Sequence, residues 1–244
     1  MNAMQRYMEQ AVELLASAAK AQAEPMEQAA ALIADALAAG GYVFTFGTGH
    51  SHLLAEEIFY RAGGLVRVYP ILEDALMLHR AAARSSQLER MSGLAEPLLD
   101  DIDVLRCGGV MLLFSNSGCN TVAVDMALQA RARGLKTVCI TNLTHAAHST
   151  SRHPDGKKLC EVCDVVIDNM GCYGDAAISV GKHVTGPTST VVGAALLQAV
   201  VCRAVELLGE RNTPVEIFHS ANTAGGDEAN AALIEKYKPF VKAL

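Results

Sequence analysis

Short, continuously apolar runs alternate with stretches of helical periodicity along most of the chain. The runs Tyr42–Phe46, Leu65–Tyr69, Val110–Phe114, Thr137–Thr141 and Val165–Asp168 predict strands. Helices are expected between them at Ser51–Arg61 and Asn120–Arg133, and after them near Thr188–Leu208 and Asp227–Val241. Strands that alternate with helices form βαβ units, and strands apolar on both sides need both faces covered. The expected fold is therefore α/β, a doubly wound five-stranded parallel sheet flanked by helices. Residues 1–40 carry apolar positions at helical spacing (Val12, Leu15 and Ala18, then Met26, Ala29, Ile33 and Leu37), which predicts an N-terminal helical pair. Pro25 suits the first turn of the second helix, and Gly40-Gly41 suits its end. We expect residues 1–40 to pack on the domain or on a partner subunit, and residues 41–244 to form the domain itself. Leu72–Asp103 shows no clear period and reads as a surface helix pair, or as a lid or oligomer contact.

Composition narrows the function. With 51% apolar residues in 244 the chain can bury a core, and a net charge of −6 offers no basic footprint for nucleic acid. The most apolar stretch, Val191–Leu208, is broken by Gln198, Arg203 and Glu206 and reads as a buried helix, so no membrane partner is expected. The N-terminus has no basic flank followed by an apolar run, which with the odd count of seven cysteines points to a cytoplasmic protein with reduced thiols. Cys160-Glu-Val-Cys163 has the spacing of a zinc or redox pair. It has no second ligand pair at matching distance, and we read it as half-buried thiols entering a strand.

Two loops carry the chemistry. Phe46-Gly47-Thr48-Gly49-His50-Ser51-His52 follows a strand and opens a helix, where backbone amides and the helix dipole favour an anion. A dinucleotide fingerprint would need glycine at His52 and a carboxylate near Tyr69-Pro70, so no NAD, and no other cofactor, is expected. Ser115-Asn116-Ser117-Gly118-Cys119-Asn120-Thr121 stands in the equivalent place after a later strand. One helix cap explains one such side chain, whereas Ser115, Ser117, Asn120 and Thr121 together with a glycine suit a bound phosphate.

A strand followed by GxGxS and, about 65 residues later, a strand followed by SxSGxx resembles the sugar isomerase (SIS) domain family. The resemblance runs from Tyr42 to Leu208 and is nearest to the single-domain branch of the phosphoheptose isomerases and uncharacterised SIS proteins close to it. It implies a small-molecule sugar phosphate as partner, aldose–ketose isomerase activity, and a homodimer or homotetramer with sites near the interface. Carried over by position, Ser51, Ser115, Ser117 and Asn120 match phosphate ligands, with Gly49, His50, Asn116, Gly118 and Thr121 around them and Thr188 and Ser189 closing the site. The base would be Glu57, with Glu56 second, unless the two are only a solvated pair on an exposed helix face. The Gln and His that the branch presents on its last long helix are absent, since Ala194 and Cys202 occupy those places. His183 and His52 are then the expected acids, ahead of His50 and His219. The missing pair also keeps open an elimination (etherase-type) reaction, or a non-catalytic phosphosugar sensor.

Several polar segments remain. His145, His148 and His153 could supply three nitrogens to a metal, but no supporting carboxylate stands at a suitable spacing, and a substrate-contacting or dimer-facing loop is preferred. Arg152 could steady a carboxylate or phosphate, or be a surface charge. Asp168–Asp175 reads as a loop at the active edge, and Ser220–Glu228 as a polar loop able to reach a neighbouring subunit.

Overall fold

Asn2 accepts from the Gln5 amide at 3.0 Å while the Gln5 side chain accepts from the Asn2 amide, also at 3.0 Å. This reciprocal cap starts helix α1 (Ala3–Ala21). Helix α2 (Ala23–Ala38) follows with Pro25 in its first turn, and Gly40, at φ +86°, ends it. The structure is a computed structural model describing residues 1–244.

Five strands, β1 (Tyr42–Gly47), β2 (Val68–Ile71), β3 (Gly109–Phe114), β4 (Lys136–Thr141) and β5 (Val165–Asp168), form one parallel sheet in the order β2-β1-β3-β4-β5. The order reverses at β1, so the crevice between the β1 and β3 loops is where an open α/β sheet takes ligands. Alternate residues serve opposite faces. Val43, Leu112, Phe114, Val138 and Ile140 pack with α2 and helix α9 (Ser189–Glu210). Phe44, Phe46, Met111, Leu113 and Cys139 pack with helices α5 (Ala95–Asp100), α6 (Thr121–Ala132), α8 (Leu159–Val162) and α10 (Gly226–Tyr237). Helix α9 is apolar and long enough to cross a membrane by composition alone. Here Val192, Leu196, Val200 and Ala204 bury one side of it in the core.

Three expectations need correction. The second strand begins at Val68, because Leu65 and Val66 pair instead with the segment before α10: Leu65 bridges Ile217 and the Val66 amide reaches Glu216 O at 3.1 Å. The shift leaves Pro70 on an edge strand, where a missing N–H is tolerated. The first site helix is short, with α3 (His52–Glu57) entered through a 3₁₀ turn at Gly49–Ser51. Between Asp175 and α9, where no strand was expected, the chain forms an antiparallel hairpin of β6 (Ala176–Val180) and β7 (His183–Pro187). Helix α1 braces it, with Tyr7 Oη donating to Pro187 O at 2.8 Å and Arg6 to Ser179 O at 3.0 Å. The outer face of α1 leaves Met4, Met8 and Val12 exposed. Helices α4 (Leu78–Leu88) and α7 (Leu143–His148) complete the set.

Candidate functional site

The β1 loop is shaped by close backbone approach. A Cβ on Gly47 would lie 2.4 Å from Ser51 O, so the chain can fold back over its own strand end only with glycine there. Thr48 anchors the loop from outside by donating to Glu89 Oε2 at 2.7 Å. His52 is buried, and its Nδ1–H donates to the Gly49 carbonyl, so this imidazole holds the turn. His50 and Ser51 are left at the surface of the crevice.

The β3 loop is tied on both sides. Ser115 is buried; its hydroxyl accepts from the Gly118 amide at 3.2 Å, and its carbonyl accepts from Thr141 Oγ1 at 2.7 Å. Asn116 Oδ1 accepts from Asn169 Nδ2 at 2.8 Å, which joins the β3 loop to the end of β5. Gly118 takes φ +61°, and a Cβ there would stand 3.0 Å from Thr141 Oγ1. Asn120 precedes α6, and its Oδ1 accepts from Arg152 at 2.7 Å. Thr121 donates to Arg152 O at 2.9 Å.

These loops enclose a cleft of about 250 Å³ at the carboxyl edge of the sheet, lined by His50, Ser51, Leu54, Ser115, Asn116, Ile140, Asn169, Asp175, Pro187, Ser189 and Thr190. Only Leu54 and Ile140 count among its hydrophobic residues, and no Lys or Arg lines it. Asp175, at φ +67°, supplies the charge. Its carboxylate accepts from the Thr188 and Ser189 amides at 3.0 and 2.9 Å and from the Ser189 hydroxyl at 2.6 Å. The N-terminus of α9 is thus already capped by an internal anion. The loop containing Asp175 reads from the sequence as an active edge, but the capping role had no local signal.

Of the expected site residues, His50, Ser51, Ser115, Asn116 and Ser189 meet in this cleft. Gly49 and Gly118 shape its loops, and Thr188 is buried under Asp175. Ser117 lies on the far side of the β3 loop, lining a second cleft with Cys119, His145, His148, Arg152 and Tyr173. Asn120 and Thr121 are held to Arg152 at the root of that loop. Glu56 is exposed. Glu57 turns away from the cleft lining: its carboxylate meets Arg61 and accepts from Gln198 Nε2 at 3.0 Å. Gln198 stands one helical turn from both Ala194 and Cys202. Its contact with Glu57 joins positions 141 residues apart, which no local pattern signals. His183 starts the exposed strand β7 and lies outside the lining of the first cleft.

The three histidines of the β4 loop separate. His153 Nε2 bonds to Asp125 Oδ1 at 2.9 Å, while the rings of His145 and His148 lie 5.0 and 5.4 Å from that of Tyr173. No three His, Cys, Asp or Glu side chains converge in a geometry able to hold a metal ion. Around the pair Cys160 and Cys163, two thiols, Cys139 and Cys160, are held toward the protonated form. Hydrogen bonding with Cys163, together with burial, pushes Cys139 well up, and burial raises Cys160. Raised thiols disfavour the thiolate that redox and metal chemistry require.

A family model described as the SIS domain matches residues 6–142. The chain is 43% identical over 242 residues to a UPF0309 protein of Geobacillus thermodenitrificans, covering 98% of this chain and 96% of that one. A UPF0309 protein of Geobacillus kaustophilus is 45% identical over 222 residues, covering 90% and 88%. Among solved structures, a phosphoheptose isomerase from Francisella tularensis aligns with a TM-score of 0.52 at 14% identity, covering 86% of this chain and 100% of that one. At that identity the likeness is one of fold.

Proposed function

The chain belongs to the SIS domain family, and on that premise we propose that its first cleft binds a phosphorylated sugar and interconverts the aldose and ketose forms. The observation that carries this reading is the meeting of Ser51, Ser115 and Asn116, from two strand-to-helix loops, at the crevice where the strand order reverses. Hydroxyls, amides and loop N–H groups there suit one phosphate without a cation. His50 and Asp175 line the same cleft and give it an imidazole and a carboxylate. That pair suits proton transfer between C1 and C2 through an enediol. Glu57 serves as base in this reading only if it exchanges Arg61 and Gln198 for substrate.

Sugar phosphates of different chain length, incubated with the protein in deuterated water, test the reading. The expected result is ligand-induced stabilisation and deuterium at C2. His50→Asn should lower turnover by roughly a hundredfold or more while affinity changes little, the range for a lost general acid–base. Glu57→Gln run in parallel tells whether exchange depends on that carboxylate instead. Absence of both stabilisation and exchange sinks the proposal. Elimination would start from the same proton abstraction and is distinguished by its products. The engagement of Glu57 by Arg61 and Gln198 favours, as a second reading, a sensor that binds without turnover. Binding without exchange selects it. The exposed Met4, Met8 and Val12 of α1 support a homodimer or homotetramer, and sedimentation velocity that returns only monomer contradicts it.

A further inference from the structure

Behind the β3 loop lies the second cleft, about 410 Å³ in volume, where Ser117, His145, His148, Arg152 and Tyr173 converge. Neither Asp nor Glu is among its lining residues. Arg152 is fixed without being neutralised: its guanidinium donates to Asn120 Oδ1 at 2.7 Å and to Cys119 Sγ at 3.1 Å, both uncharged. By contrast Arg61, Arg131, Arg133, Arg203 and Arg211 each meet a carboxylate. The backbone around Arg152 is pinned as well, its amide donating to Cys119 O at 2.9 Å and its carbonyl accepting from Thr121.

The two imidazoles have assigned tautomers, because each meets a backbone group of a single role. His145 Nδ1 accepts from the Gly174 amide at 3.3 Å, so its proton sits on Nε2 and can be donated. His148 Nδ1 meets Thr144 O at 2.8 Å and must donate to it, which leaves Nε2 as an acceptor in the neutral ring. Tyr173 stacks obliquely on both rings. A guanidinium held by neutral partners beside an N–H donor is an arrangement that recognises an oxyanion.

We propose that this second cleft is an anion subsite, which takes a phosphate or carboxylate group on Arg152 and His145 while His148 accepts a hydroxyl beside it. The anion has two possible sources. It is a second acidic group on the sugar held in the first cleft, reached around the loop whose Asn116 lines one cleft and Ser117 the other, or it is a separate small phosphate or carboxylate. Only the first source rests on the sugar-phosphate reading.

Titration with inorganic phosphate, followed calorimetrically on the full chain, tests the subsite directly. In a Ser51→Ala/Ser115→Ala background, which removes ligands of the first cleft, phosphate should still bind. Adding Arg152→Met should weaken that binding at least tenfold. His145→Asn, which leaves the Arg152 contacts in place, should weaken it several-fold with an unchanged far-ultraviolet spectrum, so a misfolded Arg152 variant does not decide the matter. Phosphate affinity equal in all of these proteins, or no phosphate binding in the Ser51/Ser115 background, overturns the proposal. Fructose 6-phosphate and fructose 1,6-bisphosphate then separate the sources. A tighter bisphosphate whose advantage Arg152→Met abolishes means one ligand spanning both clefts, whereas phosphate binding undisturbed by a saturating monophosphate means a separate ligand. If no sugar phosphate binds but phosphate still depends on Arg152, the sugar-phosphate reading fails and the subsite stands.

Discussion

The two clefts at the carboxyl edge share one loop and are opposite in charge. The first contains the Asp175 carboxylate and no Lys or Arg, while the second contains Arg152 and two imidazoles and no carboxylate. Both are lined by short hydroxyl side chains, so composition alone would call them alike. The difference comes from long-range partners: Asp175 is drawn in by the amides of α9, and Arg152 is held by the side chain that precedes α6. In the first cleft the start of α9 is already taken by an internal carboxylate, which leaves an anion to the β1 and β3 loops, whereas the second cleft offers an uncompensated guanidinium directly.

Damage to the shared loop should abolish binding on both of its sides. Gly118→Ala forces an L residue into the left-handed region and presses a Cβ on Thr141 Oγ1, the group that holds Ser115 O. We expect a loss of about 1–2 kcal/mol in stability by urea denaturation, with ligand affinity lost in both clefts. Retained binding in either one would mean that the loop does not shape it. A smaller and more selective effect is expected from Asp175→Asn, which keeps a capping side chain for α9 but removes the negative charge. Sugar-phosphate affinity in the first cleft should rise several-fold while deuterium exchange falls, as read by calorimetry and wash-in. An unchanged affinity would mean that charge is not what distinguishes the clefts. The smallest change is predicted for Tyr173→Ala. Loss of its contact with His145 and His148 forgoes about 0.5–1 kcal/mol of ring packing. Phosphate binding in the second cleft should weaken two- to fivefold, with no change in the first.

Much of the frame was legible along the chain because it depends on local rules. Each strand of the sheet is a run of apolar side chains, and the two loops declare themselves by glycine and short polar residues directly after a strand. The hairpin was not legible. Its strands are mostly exposed, so they lack the apolar run that a buried strand displays, and α1 holds them from about 180 residues away. The edge strand β2 was displaced for a similar reason, since Leu65 and Val66 found partners in the segment before α10.

The candidate site divides along the same line. Ser51, Ser115 and Asn116 share a cleft because their loops leave neighbouring strands of a parallel sheet; the loops were legible, whereas the pairing of β1 with β3 was not, since doubly wound sheets adopt more than one strand order. The fate of Glu57 could not be read in that way. Whether a helical carboxylate faces a ligand or a neighbour depends on the rotation of α3 against α9, which brought Gln198 to it. The sequence alone therefore dictated the layers, four of the five sheet strands and the residue types of the two loops, all consequences of periodicity and backbone freedom within a few residues. Tertiary structure alone decided which charges sit on which side of the β3 loop, because a charged side chain settles where its partners are, and those partners arrive from distant parts of the chain.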